Sequence, residues 1–310
     1  MKLKMHAIRV LASGCLVGVV LHISTASAAQ NEASVIHYNG RNCVELKDEN
    51  GWSVAVWDPG QYCIAQDLHQ SWPLIRLPDQ PTPKSALIDV RSGNVTVNLM
   101  GRHLVKKTPV GEGIWVSATS QRAIRIFNGS ISTSSPLAVF MVQEWNIDNK
   151  RFGWGHSIAS SHGDLSQYRD TEYILENLTL ESDNIVIIMQ GKKNIIRHCK
   201  IIGGNGTVNL YGPNMTFEDN EIILNAKDPQ KDGDEPAVAL YLEDAQDSVI
   251  RNNRITIKGR AAKIDAIVLK NSANVVIEGN TITGSKEVYK LLDEISSVKA
   301  SGNTVKANGW

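Results

Sequence analysis

The sequence predicts an all-β solenoid, a single-stranded parallel β-helix behind an N-terminal cap. Three observations predict it. First, a nine-residue pattern, x-aliphatic-x-aliphatic-x-x-Asn-x-aliphatic, returns along the chain, most cleanly from Asn274 to Ile282. Copies open at Ala123, Glu172, Lys193, Asn214, Asp247, Asn274 and Ser297, with spacings of 49, 21, 21, 33, 27 and 23 residues. Second, a further alternating run lies between copies, as in Val238–Leu242, Asp265–Leu269 and Thr207–Tyr211. Alternation sends every second side chain inward, and one coil alone cannot bury its apolar face, so coils must stack. Third, the 21-residue repeats contain no helix-length apolar period, which excludes an ordinary βαβ fold.

The elements follow in chain order. Residues 1–28 read as a secretory signal: Lys2, Lys4 and Arg9, then an apolar run from Val10 to Ile23, then Ala26-Ser27-Ala28 as a small-x-small cleavage site. No other stretch approaches 18 apolar residues, so no membrane span is expected. The protein is therefore expected to be exported, to the periplasm or beyond the cell. Residues 29–85 are expected to form the cap, because an open coil exposes core and unpaired strand edges. Export places Cys43 and Cys63 in an oxidising compartment where they can pair. Residues 86–310 are expected to form the solenoid, with a long insertion at 143–171 and a short helical excursion around 285–296.

Composition agrees. The 310 residues carry 32 basic and 32 acidic side chains, which removes any case from charge for nucleic acid or an anionic membrane surface. Aromatic residues make up 6%, a mix suited to stacked aliphatic side chains.

Stacking lets columns be read across coils. The pattern's Asn falls at Asn220, Asn253, Asn280 and Asn303, with Gly129, Leu178 and Cys199 at the same place in earlier coils. Stacked inward Asn side chains can hydrogen-bond from coil to coil, a structural role. The outward fifth position runs Glu176, Arg197, Glu218, Arg251, Glu278. Strands about 4.8 Å apart make these neighbours a charge ladder whose use is register.

These repeats resemble the right-handed parallel β-helix repeats of the pectin-lyase-like superfamily. Asn94–Leu104 and Pro59–Leu68 look like that superfamily's opening coils. The resemblance covers roughly residues 55–308. It implies a right-handed helix and does not fix an activity, since members include lyases, hydrolases, epimerases and non-catalytic binders. Pectate lyases carry Trp-x-Ile-Asp-His, whereas this chain has Trp145-Asn-Ile-Asp-Asn149. Gly-His-Gly and Asp-Pro-His-Asp signatures are absent, so no catalytic residue is carried over.

Function in a solenoid sits on insertions and exposed strand faces. The 143–171 insertion gathers Trp145, Asp148, Trp154, His156, His162, Asp164, Tyr168, Arg169 and Asp170. Rings can stack on sugars, and His, Asp and Arg can bind or move protons. The catalytic candidates are His156, His162, Asp164 and Arg169, with Trp145, Trp154 and Tyr168 as substrate-binding candidates. Alternation also turns Tyr211 and Tyr241 outward in one column, with Ile188 before and Lys270 after. That stripe is either a polysaccharide platform or a surface covered by the long loop. The second insertion offers Asp228, Asp232, Asp234 and Glu235, hard oxygen ligands for calcium, although their spacing misses the EF-hand template. The expected function is recognition or processing of an extracellular polysaccharide by uronate elimination or glycoside hydrolysis. The alternative is a non-catalytic adhesin, surface-binding or structural module. The sequence does not decide whether the protein is an enzyme.

Overall fold

The structure is a computed structural model that describes residues 34–38, 40–47, 53–70, 86–108, 111–116, 122–134, 137–143, 164–204, 206–226, 237–259 and 264–306. The expected export signal at 1–28 lies outside the described residues.

Two strands open the fold as an antiparallel hairpin, β1 (Val35–Tyr38) and β2 (Arg41–Glu45). The remaining described strands wind through three walls. Wall A holds β4 (Gly60–Cys63), β7 (Val95–Asn98), the first half of β10 (Ile124–Thr133), the first half of β12 (Ile174–Ser182), β14 (Ile195–Arg197), β17 (Thr216–Glu218), β20 (Val249–Arg251), β23 (Val275–Glu278) and β26 (Val298–Ser301). Wall B holds β5 (Leu68–Gln70), β8 (His103–Lys106), the second halves of β10 and β12, β15 (Lys200–Gly203), β18 (Glu221–Ala226), β21 (Arg254–Gly259), β24 (Thr281–Thr283) and β27 (Thr304–Lys306). Because β10 and β12 run through the corner, these two walls and the hairpin form one 18-stranded sheet. Wall C is a separate sheet of nine strands: β3 (Val54–Val56), β6 (Ile88–Val90), β9 (Ile114–Val116), β11 (Val139–Met141), β13 (Ile187–Gln190), β16 (Gly206–Tyr211), β19 (Ala237–Glu243), β22 (Ile264–Lys270) and β25 (Tyr289–Leu291). Within the walls every pairing is parallel, each strand lying on its counterpart one coil on. This is a parallel β-helix.

Left-handed residues make the corners. The A-to-B corner turns on Asn128, Asn177, His198, Asp219, Asn252, Gly279 and Gly302, all at φ between 52° and 64°. Asn, Asp and Gly tolerate this region best. The next residue points inward, and there the asparagines stack. Asn253 Nδ2 donates to Asn280 Oδ1 at 3.0 Å and to the Phe217 carbonyl at 2.9 Å. Its own Oδ1 accepts from the Asn220 backbone N–H and Nδ2 at 2.9 and 3.1 Å. The ladder continues upward to the Cys199 N–H and downward to Asn303. Cys199 is buried in this column, and burial pushes its thiol up to about 12, an inert packed position.

Aliphatic columns fill the interior. In wall B, Leu104, Ile131, Leu180, Ile201, Ile222, Ile255 and Ile282 stack in register, none more than 1% exposed. Each such burial stabilises the fold by about 1.5–3 kcal/mol relative to exposure. One polar patch interrupts this core. Lys106 points inward with Gln70, Thr108 and Thr133, and its ammonium donates to Gln70 Oε1. Burial lowers the Lys106 pKa to about 8, against the opposing pull of Glu112.

Outside wall A the charge column forms in the expected register, Glu176 beside Arg197, then Glu218, Arg251 and Glu278. Glu176 is the hub. Burial pulls its pKa up, but the hydrogen bond and charge of Arg125 and the charge of Arg197 outweigh it and hold the carboxyl below its ordinary value.

Three expectations need correction. Strands β3, β4 and β5 already stack on β6, β7 and β8, so coils begin near residue 54 instead of at 86. Among the described residues only the hairpin and its short exit precede them, and the Cys43–Cys63 disulfide joins the hairpin to the first coil. The stretch around 285–296 is not helical. Tyr289–Leu291 pairs with Ile267–Leu269 as the last strand of wall C, and the Asp293 carboxylate then accepts the Ile295, Ser296 and Asn271 N–H groups to close the turn. Tyr211 and Tyr241 do not share a column. Tyr211 lies between Gln190 and Glu243, and Tyr241 between Asn209 and Val268, two residues out of step.

Candidate functional site

Outward side chains of wall C make a second apolar cluster, distinct from the interior. Phe140, Ile188 and Tyr211 come from the wall, with Leu137, Val142 and Tyr168 packed on them and Trp115, Leu165, Ile185 and Tyr241 at the margin. Trp115 and Phe140 stack with centroids 4.8 Å apart. Both ends of the long insertion meet here. Gln143 Nε2 donates to the Gln167 carbonyl at 2.8 Å, and Gln143 Oε1 accepts the Arg169 N–H at 2.7 Å. One buried amide thus ties the exit and the return of the loop.

A 3₁₀ turn, Leu165–Gln167, carries the return strand inward. Asp164 caps it. Its carboxylate accepts the Ser166 hydroxyl at 2.6 Å, the Ser166 N–H at 3.0 Å and Gln167 Nε2 at 3.1 Å. These bonds, the Ser166 hydroxyl first, hold Asp164 below its ordinary pKa. The turn delivers Tyr168, which is buried and donates to Asp244 Oδ2 at 2.8 Å. The wall makes room by omission. Gly212 sits at φ +117°, and a Cβ there would lie 2.5 Å from the Gly191 carbonyl oxygen and 2.9 Å from the Tyr168 ring.

Beside the seated Tyr168 lies a polar cluster. Tyr241 donates to Glu243 Oε2 at 2.8 Å, and Lys270 Nζ to Glu243 Oε1 at 2.9 Å. The Tyr211 and Tyr241 rings are tilted, 6.0 Å between centroids. Burial, and next the Glu243 charge, push both phenols upward, so they stay protonated donors. Glu243 is buried, whereas Tyr241, Lys270 and the neighbouring Asn209 are half-exposed. The Glu243 carboxylate is thus fixed by two donors. The half-exposed ring, ammonium and amide can meet a ligand rich in hydroxyl groups.

A family model described as a right handed beta helix region matches residues 138–308, more than half of the chain. The chain belongs to that family. No curated protein and no solved structure matches it.

This β-helix treats the predicted residues unequally. Tyr168 and Tyr211 come together under the loop stem, and Tyr241 adjoins them; Tyr211 is only 6% exposed, so the open stripe does not exist. Asp164 caps a turn, and Arg169 contributes its backbone to the stem while its side chain is exposed. Trp145, Asp148, Trp154, His156 and His162 lie outside the described residues, as do Asp228, Asp232, Asp234 and Glu235. Among the described residues no three His, Cys, Asp or Glu side chains are placed to hold a metal ion. No helix among them is long and apolar enough to cross a membrane. An open groove of about 360 Å³ crosses the A-to-B corner, lined by Asp219, Glu221, Asn252 and Arg254. It is the outer side of the asparagine ladder and touches none of the predicted residues. Sequence reasoning missed Glu243, Asp244 and Gln143. The signal for the first two was their place at the end of an alternating strand, directly after the outward Tyr241.

Proposed function

We propose that this β-helix recognises an extracellular polysaccharide on the outer face of wall C. The observation that carries the reading is Tyr241, a half-exposed ring whose hydroxyl is fixed by Glu243, flanked by Lys270 and Asn209. Such a fixed ring presents apolar surface to a sugar face at little entropic cost, and its neighbours supply donors and an acceptor for hydroxyl groups. The Cys43–Cys63 disulfide and the basic-then-apolar N-terminus support export to an oxidising compartment. Recognition without cleavage is favoured over lyase or hydrolase chemistry, because Glu243 and Asp244 each accept a tyrosine hydroxyl and the loop stem packs over Tyr211.

Affinity electrophoresis through polygalacturonate, alginate, xylan and mixed-linkage β-glucan tests this, with mass spectrometry for new chain ends. One glycan is expected to retard the protein uncut, and Tyr241→Ala to weaken that binding about tenfold, the scale of losing one stacked ring. Unsaturated uronate ends would establish a lyase and saturated ends a hydrolase. Free migration through all four gels would sink the polysaccharide reading.

A further inference from the structure

The corner that carries the asparagine ladder also has an outer side, and there it forms the open groove of about 360 Å³. Three successive coils build this groove. The left-handed corner supplies Asp219, Asn252 and Gly279, and the first outward position of wall B supplies Glu221, Arg254 and Thr281. The floor is rigid. Asn220 and Asn253 beneath it are buried and bonded into the ladder. The corner backbone is fixed as well, because the Asp219 and Asn252 N–H groups donate to the Arg251 and Glu278 carbonyls at 3.1 and 3.0 Å. Gly279 gives the groove its depth. A Cβ there would lie 2.6 Å from Asn252 Oδ1, so the Asn252 amide lies across the next coil in space that any larger residue would contest.

The side chains around this floor are uncommitted. Among the described residues, Asp219, Asn252, Arg254 and Thr281 make no side-chain hydrogen bond and no ion pair. Glu221 faces Lys200 at 3.5 Å, which offsets its charge. What remains is one carboxylate and one guanidinium, with an amide and a hydroxyl beside them. The guanidinium offers five N–H donors, the carboxylate only acceptors, and the amide and hydroxyl both. No aromatic or aliphatic side chain lines the groove, so an apolar ligand gains no burial partner there. A small anion would meet Asp219, and a small cation would meet Arg254. A pyranose has hydroxyl groups that both donate and accept, carries them without net charge, and sets them around a ring that faces several coils at once. The groove lies at the lower end of small-molecule sites, about 300–1,000 Å³, which suits one sugar residue.

We infer that this groove is a saccharide site for one pyranose residue, with Asp219 and Asn252 accepting from its hydroxyl groups and Arg254 donating to them. Because the floor and the corner backbone are already fixed, binding orders only the side chains at the rim. The site lies on the corner between walls A and B, whereas Tyr241 stands on wall C. It therefore does not depend on the wall C reading, and a protein that uses both binds one glycan on each face.

The test is a set of ¹H–¹⁵N spectra of the full chain, titrated with the methyl glycosides of glucose, galactose, mannose and galacturonic acid, and separately with alanine. The Arg254 Nε–H and Asn252 Nδ2 signals are assigned from Arg254→Lys and Asn252→Asp. One glycoside is expected to move both signals to saturation. Arg254→Lys, read at the Asn252 amide, should weaken that binding about tenfold, since an ammonium lacks the planar fork. Asp219→Asn should weaken it by a similar factor, since a charged acceptor becomes a neutral one. Tyr241→Ala should leave it unchanged. Gly279→Asn, read at Arg254, is expected to abolish it. Asparagine tolerates the left-handed corner, as Asn128, Asn177 and Asn252 do, while its side chain displaces the Asn252 amide. Melting midpoints show whether each variant keeps the fold. Signals that no glycoside moves, or shifts that persist unchanged in Arg254→Lys and Gly279→Asn, overturn the inference. A response to alanine alone also overturns it and assigns the groove to zwitterions. If the gels retard the protein through Tyr241 while the Arg254 and Asn252 signals stay still, this site is removed and the wall C reading stands. Free migration through all four gels with saturable shifts at Arg254 and Asn252 does the reverse.

Discussion

Asn253 shows how much one side chain carries in this fold. Its amide donates to Asn280 and to the Phe217 carbonyl, and accepts from the Asn220 backbone and side chain. Asn253→Ala strands several buried polar groups at once, at a cost of about 2–4 kcal/mol. The partly exposed Asn303 at the end of the ladder should cost less on the same change. Urea midpoints of the two variants check the order, and equal losses would mean that the ladder is not cooperative. Lys106 makes a second prediction at this scale. Its folded pKa is about 8 and its ordinary value 10.5, so between those values the unfolded chain binds more protons. Stability therefore rises with pH across that window and does not respond to this group below about 8. Lys106→Met should abolish the rise. The slope is the readout because the midpoint also registers the partner that Gln70 loses. A slope that persists in the variant would assign it to another group. The asparagine column was legible from sequence because it recurs at a fixed place in a fixed pattern. The stacking of the Arg91 guanidinium on the Trp57 ring, 4.5 Å from its centroid, was not, because two residues 34 apart, each in an ordinary strand end, carry no signal until the register of β3 on β6 is known.

At the scale of elements, walls A and B were readable and wall C less so, for a physical reason. From β10 onward walls A and B are joined by a corner of constant length, which transmits register from strand to strand. The approach to wall C varies, from two residues between β15 and β16 to the 227–236 insertion between β18 and β19. Counting along the chain therefore placed Tyr211 and Tyr241 in one column, whereas strand ends set them two residues apart. The charge ladder succeeded because wall A lies next to the constant corner. The docking of the loop stem had no sequence signal beyond its length, since it depends on Gly212 leaving space for the Tyr168 ring and Gly191 for the Thr171 side chain. That docking is testable. Tyr168→Phe removes the bond to buried Asp244 while keeping the ring, and should cost about 1–3 kcal/mol. Limited proteolysis should then cut between 143 and 169 faster than in the parent while the coils beyond β14 keep their protection. An unchanged cutting rate would mean that packing of the ring alone seats the stem.

At the scale of the whole molecule, the two ends of the solenoid are built differently. The first coil is covered by the β1–β2 hairpin on wall A and tied to it by the Cys43–Cys63 disulfide. The last coil has no comparable cover among the described residues. Every residue of β26 and β27 is exposed or half-exposed, and Leu291, Leu292, Ile295 and Val305 account for four of the six exposed large apolar side chains. Coils contact only their neighbours, so stability is a sum of coil and interface contributions and opening starts where an interface is missing. Hydrogen exchange should therefore be fastest in Val298–Lys306, slowest in the coils from β12 to β16, and intermediate at the stapled N-terminal end. The disulfide closes a loop of 20 residues, worth about 3 kcal/mol through the unfolded chain. Replacing both Cys43 and Cys63 with Ser should bring exchange in 41–63 up towards that of the last coil. The effect should fade within a few coils and leave β12 onward unchanged. Exchange rising equally along the whole chain would show that the coils open together, and the nearest-neighbour account of this solenoid would fail.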